Sequence, residues 1–213
     1  QCGDLQRLAR AHRIGAARHA LREASISLFE GRYQRAEREA LKSIDDEYAD
    51  ENRALALMIA ARSAASVGDN AKRDGYLSRL ESMPERIQLA RHMVEAQIRM
   101  DAKQPLEALA AIERARAISS NLTSALRLEL KIRMLLKQPE QVLQITEKLL
   151  KADALEAEQA RRYRLAAYRQ QLVGLGSERE VRDWLKRIPG VEKQNPDLVV
   201  DISRHLIALD TYP

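Results

Sequence analysis

Apolar residues recur along the chain at helical spacing, in paired stretches separated by short polar turns. Ala17, Leu21, Ala24 and Leu28 fall on one face of a helix over 17–30, and Ala36, Ala40 and Ile44 do the same over 33–44. The same reading places helices over 52–67 and 70–82, 86–102 and 105–118, 121–136 and 139–151, and 154–173 and 177–188. A last helix over 196–209 is expected to lack a partner. No stretch alternates apolar and polar residues with a period of two, so no strand is expected.

The turns repeat too. Gly31-Arg32-Tyr33-Gln34-Arg35-Ala36, Gly68-Asp69-Asn70-Ala71-Lys72-Arg73, Lys103-Gln104-Pro105-Leu106-Glu107-Ala108 and Lys137-Gln138-Pro139-Glu140-Gln141-Val142 each close one helix and open the next. They begin at 31, 68, 103 and 137, which are 37, 35 and 34 residues apart. Proline suits the first turn of a helix, where its missing amide has no partner to lose. A helix–turn–helix unit of about 34 residues is the tetratricopeptide pattern. Gly31 takes its turn glycine, Tyr33 its aromatic slot, and Ala24, Ala36 and Ala40 the small slots where paired helices approach closely. Arg73 and Val142 depart from the small consensus, and Gly75 falls inside a helix at a cost of about 1 kcal/mol. The expectation is an all-α fold: a tetratricopeptide-like right-handed superhelix of antiparallel helix pairs, an α–α solenoid. One domain, 1–213, would hold units at about 17–51, 52–85, 86–120, 121–153 and 154–190, then the terminal helix. Single hairpins bury too little to stand alone, so stability would be a sum over stacked neighbours.

Composition agrees with helix. Of 213 residues, 45% are hydrophobic and 31% charged, against 4% aromatic, and Gly and Pro are few. The net charge of +5 permits an acidic partner without demanding one. The longest apolar run, Ala54 to Ala61, is far short of the roughly 20 residues that span a bilayer. No signal peptide is visible, and the chain begins at Gln1 rather than Met, as a segment of a longer protein would. A single cysteine, Cys2, excludes an internal disulfide framework and a multi-cysteine metal site, and leaves the redox compartment open.

No nucleophile elbow, dinucleotide fingerprint, phosphate loop or zinc motif is present, so no catalytic residue and no metal ligand is assigned and the chain is not expected to be an enzyme. His12, His19, His92 and His205 are scattered, and His92 reads as a packing histidine. In tetratricopeptide arrays the first helix of each unit lines a concave groove. Met58, Arg62, Met93, Gln97, Met100, Arg127, Lys131 and Met134 fall near groove-facing slots, suited to a protein or peptide partner carrying apolar and acidic groups. The competing reading is core filler beside a solvated face, since a register error of one residue turns a side chain by about 100°. Arg7, Arg10, Arg13, Arg18 and Arg22 form a basic N-terminal segment. It fits either anionic headgroups or a solvated helix start. The stretch 161–187 carries eight Arg or Lys against three acids, yet it lacks a recognisable nucleic-acid module, and no nucleic acid is expected. The acidic run 45–51 reads as an inter-repeat loop.

The run Ala24-Ser25-Ile26-Ser27-Leu28-Phe29-Glu30-Gly31-Arg32-Tyr33, continuing into Ala36-Glu37, resembles the first repeat of the proteobacterial HemY tetratricopeptide proteins. Ala60-Ala61-Arg62-Ser63-Ala64-Ala65 with Gly68-Asp69 resembles the second, and Gly176-Ser177-Glu178 with Val181-Arg182-Asp183-Trp184 a later segment. The resemblance implies a scaffold at the bacterial inner membrane, associated with haem and porphyrin biosynthesis. Its membrane helices would lie outside this chain and its repeats on the cytoplasmic side. Arg7 to Arg22 would be membrane-proximal, and haem-biosynthesis enzymes would be partners. No cofactor is assigned. Direct binding of haem or porphyrin, and a general assembly role in the cell envelope, stand as alternatives. The flavin-dependent oxidase that shares the HemY name has a dinucleotide fingerprint absent here, so its activity does not transfer.

Overall fold

A computed structural model describes residues 2–46 and 49–211. Among the described residues it contains no strand, and the all-α expectation holds. The α-helices are α1 (Cys2–Phe29), α2 (Tyr33–Asp46), α3 (Asp50–Ser66), α4 (Asn70–Arg79), α5 (Glu85–Asp101), α6 (Pro105–Ile118), α7 (Thr123–Leu135), α8 (Pro139–Lys151), α9 (Ala157–Val173), α10 (Glu178–Arg187), α11 (Gly190–Lys193) and α12 (Pro196–Thr211). A 3-10 turn, Leu80–Ser82, extends α4. Two differences from the sequence reading stand out. Helix α1 begins at Cys2 rather than near 17, and the one-turn α11 follows Pro189. The acidic run is also not one loop: Asp45 and Asp46 close α2, while Asp50 and Glu51 open α3 at its positive end. Glu47 and Tyr48 lie outside the described residues.

The chain divides into two compact units, Gln1–Ser120 and Asn121–Pro213, at the boundary expected between the third and fourth hairpins. In the first unit α1 packs on α2, α2 on α3, α3 on α4, and α5 on α6. The first helices of successive hairpins also touch, α1 with α3 and α3 with α5. Alanine makes these close crossings cheap, because it brings backbones together without giving up helix propensity. Ala24, Ala36, Ala40, Ala60, Ala61, Ala64, Ala108 and Ala111 are fully buried, and Leu57, Leu80 and Ile98 fill the wider gaps. Tyr76 on α4 donates its hydroxyl to the buried Glu37 of α2 at 2.7 Å, and Lys72 adds an ion pair to the same carboxylate at 3.2 Å. Burial, reinforced by that charged acceptor, pushes the Tyr76 phenol well above its ordinary pKa.

In the second unit α7 packs on α8, α8 on α9, and α12 on α9, α10 and α11. The last helix therefore packs on three earlier helices, and no second helix of its own hairpin follows among the described residues. One core gathers Leu126, Leu130, Val142, Ile145 and Leu149. Another gathers Tyr168, Leu172, Val181, Trp184, Leu198 and Ile202. Arg164 on α9 holds the buried Glu192 of α11 at 2.8 Å, which fixes the short helix in place.

Five helices end in the same way. Gly31, Gly68, Lys103, Lys137 and Asp153 adopt left-handed backbones, with φ of 74°, 80°, 58°, 55° and 52°. At each, two amides turn back onto the last helical carbonyls, as Gly31 N–H to Leu28 and Arg32 N–H to Ser27, or Lys137 N–H to Met134 and Gln138 N–H to Arg133. The four repeated turns read from sequence thus share one hydrogen-bonded geometry. Pro105 and Pro139 then open the next helix.

Candidate functional site

Unit one places four of the expected groove residues near one another. Arg62 on α3 pairs with Asp101 at the end of α5 at 3.4 Å, and Gln97 donates to the same carboxylate at 2.8 Å. Met93, Gln97 and Met100 are spaced i, i+4, i+7, which puts them on one face of α5, and all three are half-buried. Beside Arg62 and Asp101 lies an open pocket of about 310 Å³, also lined by Tyr33, Ala65, Ser66 and Ile98. Met58 is different. At 8% exposure it belongs to the core with Leu57 and Leu77, so it packs rather than presenting a surface.

In unit two, Arg127 and Lys131 are exposed on α7 and Met134 is half-buried against the α7–α8 core. The Arg127 guanidinium is already engaged. It donates from Nε and Nη2 to the Ala154 carbonyl at 3.1 and 2.7 Å and so clamps the turn before α9. Two of its guanidinium nitrogens are thus engaged while the side chain stays exposed.

A cavity of about 520 Å³ in this unit lies elsewhere. Its apolar wall is Leu143 of α8, Tyr168 of α9, Leu175, Trp184 of α10 and Ile188. Tyr168 and Trp184 meet edge to face, with ring centroids 6.3 Å apart at 68°. Trp184 Nε1 donates to Gln171 Oε1 at 2.9 Å, and Gln171 Nε2 donates in turn to Glu140 Oε1 at 3.0 Å. This chain fixes the indole ring and occupies the carboxylate. Lys137 and Arg187 also line the cavity, both exposed, and neither side chain enters an ion pair among the described residues. Burial raises the Tyr168 pKa, so the phenol stays neutral.

His92 is buried on α5, with Arg114 Nε directed at its Nδ1 at 3.5 Å. Burial first, then the charges of Arg91 and Arg114, hold its pKa below the ordinary imidazole value. The packing reading of this histidine fits that environment. Half of the basic residues at 161–187 are spent internally: Arg164 on Glu192, Arg169 on Asp201, Arg182 on Glu178 and Lys186 on Asp183. Among the described residues no three His, Cys, Asp or Glu side chains gather as a metal site.

Helix α1, at 28 residues about 42 Å long, is twice the length of α2, and its N-terminal part has no helix beside it to match. Residues 4–13 are all exposed there, among them Arg7, Arg10 and Arg13, with Leu5 at 69% and Leu8 at 68%. Arg18 and Arg22 are exposed further along. The Cys2 side chain lies outside the described residues. No helix among the described residues is long and apolar enough to cross a membrane.

No family model, no curated protein and no solved structure matches the chain. Two features escaped the reading of the sequence. One is the Trp184 cavity, assembled from α8, α9 and α10. The other is a longer internal echo than Lys-Gln-Pro: Glu95, Ile98, Arg99, Met100, Lys103, Gln104 and Pro105 recur 34 residues later as Glu129, Ile132, Arg133, Met134, Lys137, Gln138 and Pro139. The structure gives the echo a meaning. Arg99 donates to Gln104 at 3.1 Å and Arg133 to Gln138 at 2.6 Å, so each arginine braces the turn that its own carbonyl closes.

Proposed function

We propose that this chain is a non-catalytic interaction module whose stacked helical hairpins hold a peptide segment of a partner protein. The observation that carries the reading is the α3–α5 face of unit one. There the Arg62–Asp101–Gln97 network sits next to half-buried Met93 and Met100. Such a surface pairs adaptable apolar contacts with charged groups that fix register. The tetratricopeptide-like spacing supports the same reading, with the hairpins of unit one stacked as repeats. The resemblance to HemY proteins extends it to a scaffold for haem or porphyrin biosynthesis at a bacterial inner membrane, with a biosynthetic enzyme as partner. Panning the purified chain against a random peptide library tests the module. Enriched peptides should lose most of their affinity for Arg62→Glu and for Met93→Ala; undiminished binding to both removes the α3–α5 face. Direct tetrapyrrole binding is tested by titrating haem and following the Soret band. An unshifted band counts against it.

The overhang of α1 favours a second contact, with an anionic membrane surface. Arg7, Arg10 and Arg13 are exposed beside Leu5 and Leu8, the composition of a helix that lies in a headgroup layer. Cosedimentation with phosphatidylcholine vesicles, with and without phosphatidylglycerol, should show binding to the anionic vesicles alone. Arg7→Glu with Arg10→Glu and Arg13→Glu should abolish it.

A further inference from the structure

We propose that the Trp184 cavity of the second unit is a separate binding site, and that it takes an aromatic or aliphatic side chain carried on an acidic peptide. Three observations converge. The cavity, about 520 Å³, is within the range of ligand sites and larger than one side chain needs, so the residues flanking an anchor also fit. Its wall is aromatic and preset: Trp184 is held by Gln171, which Glu140 holds in turn, so little ordering remains to be done on binding. Its two cations, Lys137 and Arg187, come from different elements and neither is in direct ion-pair contact among the described residues, although the Asp183 carboxylate one turn back on α10 feels the Arg187 charge; its one carboxylate, Glu140, accepts from Gln171. Two cations against one carboxylate leave the lining a net positive charge, which favours an acidic peptide, and the wall favours an apolar anchor.

Lys137 also stands at a turn corner. It occupies a left-handed position, as Gly31, Gly68 and Lys103 do in the equivalent turns of the first unit. Glycine is the easier residue in that conformation. Lysine carries that strain at both 103 and 137, and at 137 its side chain borders the cavity.

Trp184 is the only tryptophan of the chain, so its emission reports on this cavity alone. The experiment titrates the full chain with tryptophan-free acidic heptapeptides whose central residue is Phe, Leu, Ala or Ser. Phe and Leu peptides should shift the emission saturably, Ala and Ser peptides weakly, and a heptapeptide with lysine in place of every acid not at all. Lys137→Gly should raise the urea midpoint while weakening the Phe peptide about tenfold, and Arg187→Gln should weaken it similarly without changing the midpoint. Stabilisation together with lost affinity cannot come from damaged folding. Arg62→Glu, in the first unit, should leave the titration unchanged, which separates this site from the α3–α5 face. The proposal is overturned if no peptide shifts the emission, if basic and acidic peptides act alike, or if Lys137→Gly binds like the parent chain. Equal affinity for free 4-phenylbutyrate would overturn the peptide assignment in favour of a small carboxylate.

Discussion

His92 shows how a buried side chain becomes a pH liability. It faces Arg91 on its own helix and Arg114 on α6, with Glu95 the one acid near it. Its folded-state pKa lies below the ordinary value of about 6.5, so in mildly acid solution the unfolded chain binds the proton that the folded chain refuses. This residue's contribution to stability is therefore complete above about pH 6.5 and is lost as the pH falls from there toward the folded-state pKa. Thermal melts of the parent chain and of His92→Gln should show a melting-temperature gap that shifts in the variant's favour between about pH 7 and pH 5. A gap constant with pH would show that His92 does not titrate this way. The sequence could place His92 on an inward helical face, but not its neighbours, because Arg114 comes from another helix. The same limit applied to Arg127. Helical register put it on a surface, and only the fold revealed the Ala154 carbonyl within its reach.

Helices and turns were the legible level. Apolar spacing at i, i+3 and i+4 located most of the helices, and the glycine and Lys-Gln-Pro turns marked several of their ends; the N-caps came only with the structure. Asp69 accepts the Lys72 amide at 3.1 Å and Ser177 accepts the Glu180 amide at 3.3 Å, both as N-caps. The start of α1 was missed because residues 4–16 carry no stripe of buried apolar positions; arginine and alanine favour helix there without packing to betray it. Helix α11 was missed because four residues between Pro189 and Pro196 are too few to show a period. The shared left-handed turn leads to a paired prediction. Lys103→Gly should stabilise the chain by about 1 kcal/mol, and Gly31→Ala should destabilise it by about the same amount, both read from urea unfolding. Gly75→Ala belongs with them. Open space surrounds the position where its Cβ would lie, inside α4, so alanine should add about 1 kcal/mol.

For the chain as a whole, the division after Ser120 implies that each part carries its own core. Fragments 1–120 and 121–213, expressed separately, should each give helical circular dichroism and a cooperative urea transition. A fragment that stays unstructured would show that its core needs the other part. The left-handed residue has one more consequence. It ends a helix without entering the core, so selection can exchange glycine for lysine or aspartate there at a small conformational cost and leave the packing alone. Gly31, Gly68, Lys103, Lys137 and Asp153 already sample neutral, positive and negative versions of one corner. A lineage could thus retarget such a module by recharging its corners while the helices beneath stay as they are.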